Sequence, residues 1–180
     1  MSLFTKSVLK FLSIMSLIAQ FFCAFAGLML LFGTGAVLLV PNGVKKQLLQ
    51  YVDGNSNLNT NPSVWFLVLS CLVALAIIAC LFIIMHALRK MIGNIYIQDF
   101  FVYQNLTCLK QILIAITSFT ILQFISQLFF AKLHAYNVSN VFSNSSPGLL
   151  GNILLLAIVY TLYVVFKYGI SLQDDSNNVI

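Results

Sequence analysis

The residues of this chain that are able to do chemistry are few, and their spacing limits them further. Thr117, Thr120, Gln123 and Gln127 recur at steps of three, three and four inside an apolar stretch, which puts all four on one face of a helix. Such a face supports either a polar track for a permeating ligand or interhelical hydrogen bonds to partners such as Gln20, Ser70 or Asn152. The second needs less and is the simpler expectation. His86 and His134 fall in different parts of the chain and, on the topology below, on opposite sides of a membrane, so they do not form a joint metal site. Cys23, Cys71, Cys80 and Cys108 lie in or beside apolar runs with no C-x-x-C pair, and they are expected to be packing residues. All four acidic residues are Asp, so paired-carboxylate chemistry has little raw material. Serines are plentiful, but none sits in G-x-S-x-G or beside a general base. The expectation is a protein that is not an enzyme, with no catalytic residue, cofactor or metal.

The elements that must carry these residues follow from hydropathy. Of the 180 residues 61% are hydrophobic and 7% charged, with a mean hydropathy of +1.00, which excludes a soluble globule. Four apolar blocks, at about residues 11–40, 64–88, 109–131 and 149–168, each reach the roughly 20 residues that cross a hydrocarbon core of about 30 Å. The predicted fold is all-α: one domain over residues 1–180, an integral membrane four-helix bundle. The first block is longer than a span requires, so it must tilt, project, or break near Gly33, Thr34 and Gly35. Its start also resembles a secretory signal, with Lys6 and Lys10 before an apolar stretch and a small-x-small triplet at Ala24, Phe25 and Ala26. Because the apolar run continues well past Ala26, retention as a helix is the expectation.

Charge orients the spans. With the N-terminus inside, Lys6, Lys10, Arg89, Lys90, Lys110 and Lys167 are cytoplasmic and Lys45, Lys46 and Lys132 are not. Both termini are therefore predicted to be cytoplasmic. The Asn- and Ser-rich segments at residues 53–57 and 137–146, free of Lys and Arg, suit translocated loops. They contain sequons at Asn137 and Asn144 that matter only in a eukaryotic secretory pathway. The net charge of +5 is scattered in ones and twos, and no basic patch for direct nucleic-acid binding forms. Ala19, Cys23 and Gly27 make a small-residue ridge for close helix packing, against another helix of the chain or a second copy in a homo-oligomer. Tyr160, Tyr163 and Lys167 form a stripe in which the lysine snorkels to headgroups.

The connector between the second and third blocks holds the densest set of distinctive residues. Gly93 and Asn94 offer a helix stop and Asp99 an N-cap, so an elbow is expected there. Phe100, Phe101, Tyr103 and Leu106 pack under the bundle, lie among headgroups, or present a docking surface to a cytosolic partner. Arg89, Lys90, Phe100, Phe101, Asn105 and Lys110 are the candidate docking residues.

Leu88, Arg89, Lys90, Gly93, Phe100 or Phe101, Asn105, Leu109, Lys110 and Ile112 resemble the pattern of a bacterial four-helix membrane family, the domain of unknown function numbered twenty-nine seventy-five. The likeness covers about two dozen residues. The chain lacks the Glu that often precedes the Asn and a second basic residue near Leu109. The resemblance implies a small protein of the bacterial cytoplasmic membrane, often encoded beside a Cro-type helix-turn-helix regulator. On that basis the chain is expected to be a non-enzymatic sensor or anti-regulator whose partners are the lipid bilayer and that regulator. The alternative is a small transporter, or a bacteriocin-immunity or resistance protein, working through the Thr117 to Gln127 face.

Overall fold

The computed structural model describes residues 3–39, 64–133 and 149–178. They form four helices: α1 (Leu3–Leu39), α2 (Val64–Tyr96), α3 (Tyr103–Leu133) and α4 (Leu149–Asn178). Each is long and apolar enough to cross a membrane. The helix starts at Val64 and Leu149 coincide with the starts of their apolar blocks, because a stretch that cannot solvate its backbone in lipid satisfies it internally. The connectors at residues 40–63 and 134–148, with Lys45, Lys46, His134 and the sequons at Asn137 and Asn144, lie outside the described residues.

Several helix ends lie beyond the apolar blocks, and of the alternatives for the first block a break does not occur. α1 runs unbroken through Gly33 and Gly35, and the Thr34 hydroxyl donates to the Leu30 and Leu31 carbonyls at 2.9 Å, a local bond that a helix accommodates. α2 passes through Gly93 and Asn94 and stops only at Tyr96. α4 continues ten residues past Tyr168, about 15 Å of helix beyond its apolar block. Together with the start of α1 and the end of α2, this makes a helical collar at the elbow end of the molecule.

Each helix packs mainly on its neighbours in sequence, α1 on α2, α2 on α3 and α3 on α4. The arrangement is a row rather than a ring closed by an extensive α1·α4 contact. The inner pair, α2 and α3, is accordingly more buried than the flanking pair. On α2, Ser70, Ala74 and Ile77 are buried at steps of four and three, the period of one helix face. Ser70 and Ala74 are fully buried, and their small side chains let a neighbouring backbone approach where lipid provides no hydrophobic drive to association. A core of Ala87, Cys108, Leu109, Ile112, Ile116 and Val159 joins α2, α3 and α4, flanked by Met91, Leu156, Tyr163 and Phe166.

The α1 ridge faces α2 of the same chain. A Cβ on Gly27 would stand 3.8 Å from Ile78 Cγ2, and Ser16 Oγ donates to the Met85 carbonyl at 2.7 Å. Those two contacts make α1 and α2 antiparallel. α3 and α4 are antiparallel too, with Asn152 against Gln123 at one end and Gly169 against Phe101 at the other. The start of α1 and the end of α4 therefore lie at the elbow end.

Candidate functional site: the elbow and its surroundings

The elbow is built from two capping devices. At the end of α2, the Asp99 N–H donates to the Asn94 carbonyl at 3.0 Å and the Gln98 N–H to the Ile95 carbonyl at 3.1 Å, while Gln98 adopts φ 71°. This is a Schellman ending with a glutamine where glycine is usual, and it satisfies carbonyls that the last turn would otherwise leave orphaned. Gly93, which has no atom within 4 Å of an added Cβ, is an ordinary helical residue and not the stop.

α3 starts without Asp99 as its cap. The Val102 carbonyl accepts the Asn105 N–H at 2.9 Å and the Leu106 N–H at 3.4 Å, so Val102 is the N-cap residue and Asp99 lies three positions too early. Asn105 occupies the third helical position, from which a side chain reaches back over the entering chain. It is fully buried. Its Nδ2 donates to the Phe100 carbonyl at 2.8 Å and the Asp99 carbonyl at 3.0 Å, and its Oδ1 accepts from Asn94 Nδ2 at 2.7 Å. Asn94 Nδ2 also donates to Gln104 Oε1 at 3.1 Å. One carboxamide thus ties the end of α2, the connector and the start of α3 together, using two donors and an acceptor in a way few other side chains can.

α4 closes the other side of the elbow. The Phe101 ring lies 5.6 Å from that of Phe166, and a Cβ on Gly169 would run into the edge of the Phe101 ring, so the ring rests where only a glycine leaves room. Tyr103 Oη donates to Asp174 Oδ2 at 3.0 Å.

The six candidate docking residues do not share one surface. Asn105 is internal, with its amide fully engaged, and is not offered to a partner. Arg89 turns away from the elbow toward α1, with Nη1 a long 3.5 Å from Gln20 Oε1. Phe101 leans on α4. Apart from Asn105 all of them are exposed, Arg89 and Phe101 included, with Lys90, Lys110 and Phe100 free of such contacts to α1 or α4 among the described residues. Beside them Tyr96 and Ile97 are also exposed, Ile97 at 64%. Sequence reasoning passed over these two because the expected stop at Gly93 and Asn94 placed them in a loop of no particular orientation.

The polar face of α3 also divides. Thr117 is exposed and bonds the Leu113 carbonyl at 2.8 Å, and Thr120 bonds the Ile116 carbonyl at 2.8 Å. Gln123 is buried and accepts from Asn152 Nδ2 at 3.0 Å, and Gln127 is half-buried. Two of the four side chains spend their hydroxyls on their own helix and one joins α3 to α4, which is the interhelical role expected as the simpler one. His86 is exposed, its ring stacked 6.5 Å from Phe82. Among the described residues no three His, Cys or acidic side chains gather as a metal site would require. Comparison with protein-family models, with curated proteins and with solved structures finds no match.

Proposed function

We propose that this chain is a multi-pass protein of the bacterial cytoplasmic membrane with both termini and the elbow in the cytoplasm, acting without catalysis as an anchor or sensor for a cytosolic regulator. Four helices that can each cross a bilayer support the placement, as does the concentration of Lys6, Lys10, Arg89, Lys90, Lys110 and Lys167 toward the elbow end. The observation that carries the docking reading is the elbow itself. Tyr96, Ile97 and Phe100 are exposed on a turn made rigid by the buried Asn105, and the exposed Lys90 and Lys110 flank that turn in sequence. A preorganised apolar patch with positive charge on both helices that lead to it suits an acidic, amphipathic surface on a soluble partner, and the rigidity spares the ordering cost of binding. The resemblance over residues 88–112 makes that partner a small helix-turn-helix regulator, held at the membrane or released by a signal.

The test is capture of such a regulator, expressed with the membrane protein, on the detergent-purified chain. Ile97→Asp combined with Phe100→Ala is expected to lower the captured amount at least tenfold with thermal stability unchanged. Undiminished capture by that variant refutes the elbow as the docking surface. Orientation is tested separately: a single cysteine at Gly93→Cys, in a chain otherwise free of cysteine, is expected to react with an impermeant maleimide only after the cells are opened.

A further inference from the structure

The seam between α1 and α2 carries a polar cluster that the elbow does not explain. Ser16, Gln20 and Arg89 meet there, and Ser16 is satisfied by the Met85 carbonyl. Gln20 is 8% exposed, and its Nε2 is buried with no hydrogen-bond partner. Its amide orientation is dictated by Arg89, since the oxygen must face the guanidinium and the NH₂ then faces an apolar seam. A buried donor left in this state costs about 1–3 kcal/mol.

Arg89 is equally unexplained. Met85 lies opposite Ser16, so Arg89 begins about one turn, roughly 6 Å, nearer the elbow end than that level, and Gln20 about one turn farther from it. The two side chains bridge the difference because Cα–Cβ bonds tilt toward a helix's own N-terminus, which is at the elbow end for α1 and at the opposite end for α2. The guanidinium is therefore drawn away from the elbow and into the apolar block, opposite to the direction in which an interfacial arginine snorkels. The acidic residues of the chain are Asp53, Asp99, Asp174 and Asp175, none of them on α1 or α2, and among the described residues no carboxylate pairs with Arg89. Arg89 as a residue is exposed, so its guanidinium stands at the open edge of the seam with N–H groups to spare, held by Gln20 and without a carboxylate partner.

We infer that Arg89 and Gln20 form a phosphate site for an anionic phospholipid of the leaflet at the elbow end. The phosphodiester oxygens accept from the free guanidinium N–H groups, which Gln20 positions through Oε1, while the acyl chains lie along the exposed apolar surface of α1. A guanidinium matches phosphate oxygens in a fork that a lysine cannot supply. A lipid phosphate fits better than a free anion because the exposed guanidinium lies beside the apolar surface of α1, along which acyl chains can pack. This inference rests on the membrane reading above but not on the elbow's partner, so either can fail without the other.

The test is native mass spectrometry of the detergent-purified, delipidated chain titrated with phosphatidylglycerol, with diacylglycerol, which lacks the phosphate, or with inorganic phosphate. One phosphatidylglycerol is expected to be retained, with diacylglycerol and inorganic phosphate at least tenfold weaker. Arg89→Gln is expected to cut phosphatidylglycerol retention about tenfold and Gln20→Leu several-fold. Lys110→Gln, which removes the same charge elsewhere, leaves it unchanged. Arg89→Lys guards against loss of fold: it keeps the charge and is still expected to weaken retention. Equal losses in Arg89→Gln and Lys110→Gln overturn the site in favour of diffuse charge. Equal binding of inorganic phosphate overturns the lipid, and full retention by Gln20→Leu overturns the role of the buried amide.

Discussion

Replacing Asn105 tests whether the elbow is a rigid object. Asn105→Ala removes two hydrogen bonds to the connector carbonyls and one from Asn94, at 2.8, 3.0 and 2.7 Å. At about 1 kcal/mol per bond, plus a partial penalty for carbonyls that lose their donor, the loss is about 2–4 kcal/mol. Asn94 keeps Gln104 as a partner, and water reaches the exposed Asp99 and Phe100, which favours the lower half of that range. Asn105→Asp is worse, since a carboxylate oxygen in place of Nδ2 faces two carbonyl oxygens at about 3 Å inside a fully buried position. The four cysteines are free and Cys71, Cys80 and Cys108 are buried, so a thiol-reactive dye that fluoresces on labelling follows unfolding in detergent. At roughly 2–4 °C per kcal/mol for a chain of this size, Asn105→Ala should lower Tm by roughly 5–15 °C and Asn105→Asp by more. A shift below about 2 °C for alanine, or an aspartate variant as stable as the parent, would refute the argument that this side chain holds the elbow.

Other substitutions probe the devices around it. Gln98→Gly removes the cost of a side chain at φ 71° and is expected to stabilise by about 1 kcal/mol in the same dye assay, whereas Gln98→Val destabilises. Gly169→Ala drives a methyl into the Phe101 ring and should cost about 1–2 kcal/mol. In a Phe101→Ala background the same change should be neutral or stabilising, so a double-mutant coupling under about 0.5 kcal/mol contradicts the contact. Gln123→Leu removes the hydrogen bond to Asn152 and is expected to lower stability by about 0.5–1.5 kcal/mol, a range that a gain in Tm would exclude.

The properties written in single residues or short runs were legible without coordinates. Four apolar blocks become four helices because each must close its own backbone hydrogen bonds, a requirement local to the segment and independent of its neighbours. The presence of an elbow between residues 88 and 112 was legible for the same reason, since a basic exit and a polar connector interrupt the hydropathy there. Its construction was not legible. Glycine signals a helix end because it takes the left-handed conformation freely, but Gln98 takes it instead and Gly93 stays helical, so the stop moved five residues.

Direction and partnership were decided only in three dimensions. Asn105 read as a surface residue of the connector, yet it is the buried pin, because its value lies in carbonyls five and six residues away that turn back toward it. Arg89 read as a cytoplasmic charge beside Lys90; both are exposed, but the tilt of its Cα–Cβ bond in an antiparallel pair turned Arg89 toward Gln20. The spacing of Ala19, Cys23 and Gly27 specified a ridge but not its partner, since small residues admit any close backbone, and α2 occupies that place. Hydropathy and period are carried by each segment alone; which side chain meets which depends on the relative shift of two helices along their axes, and no single segment encodes that shift.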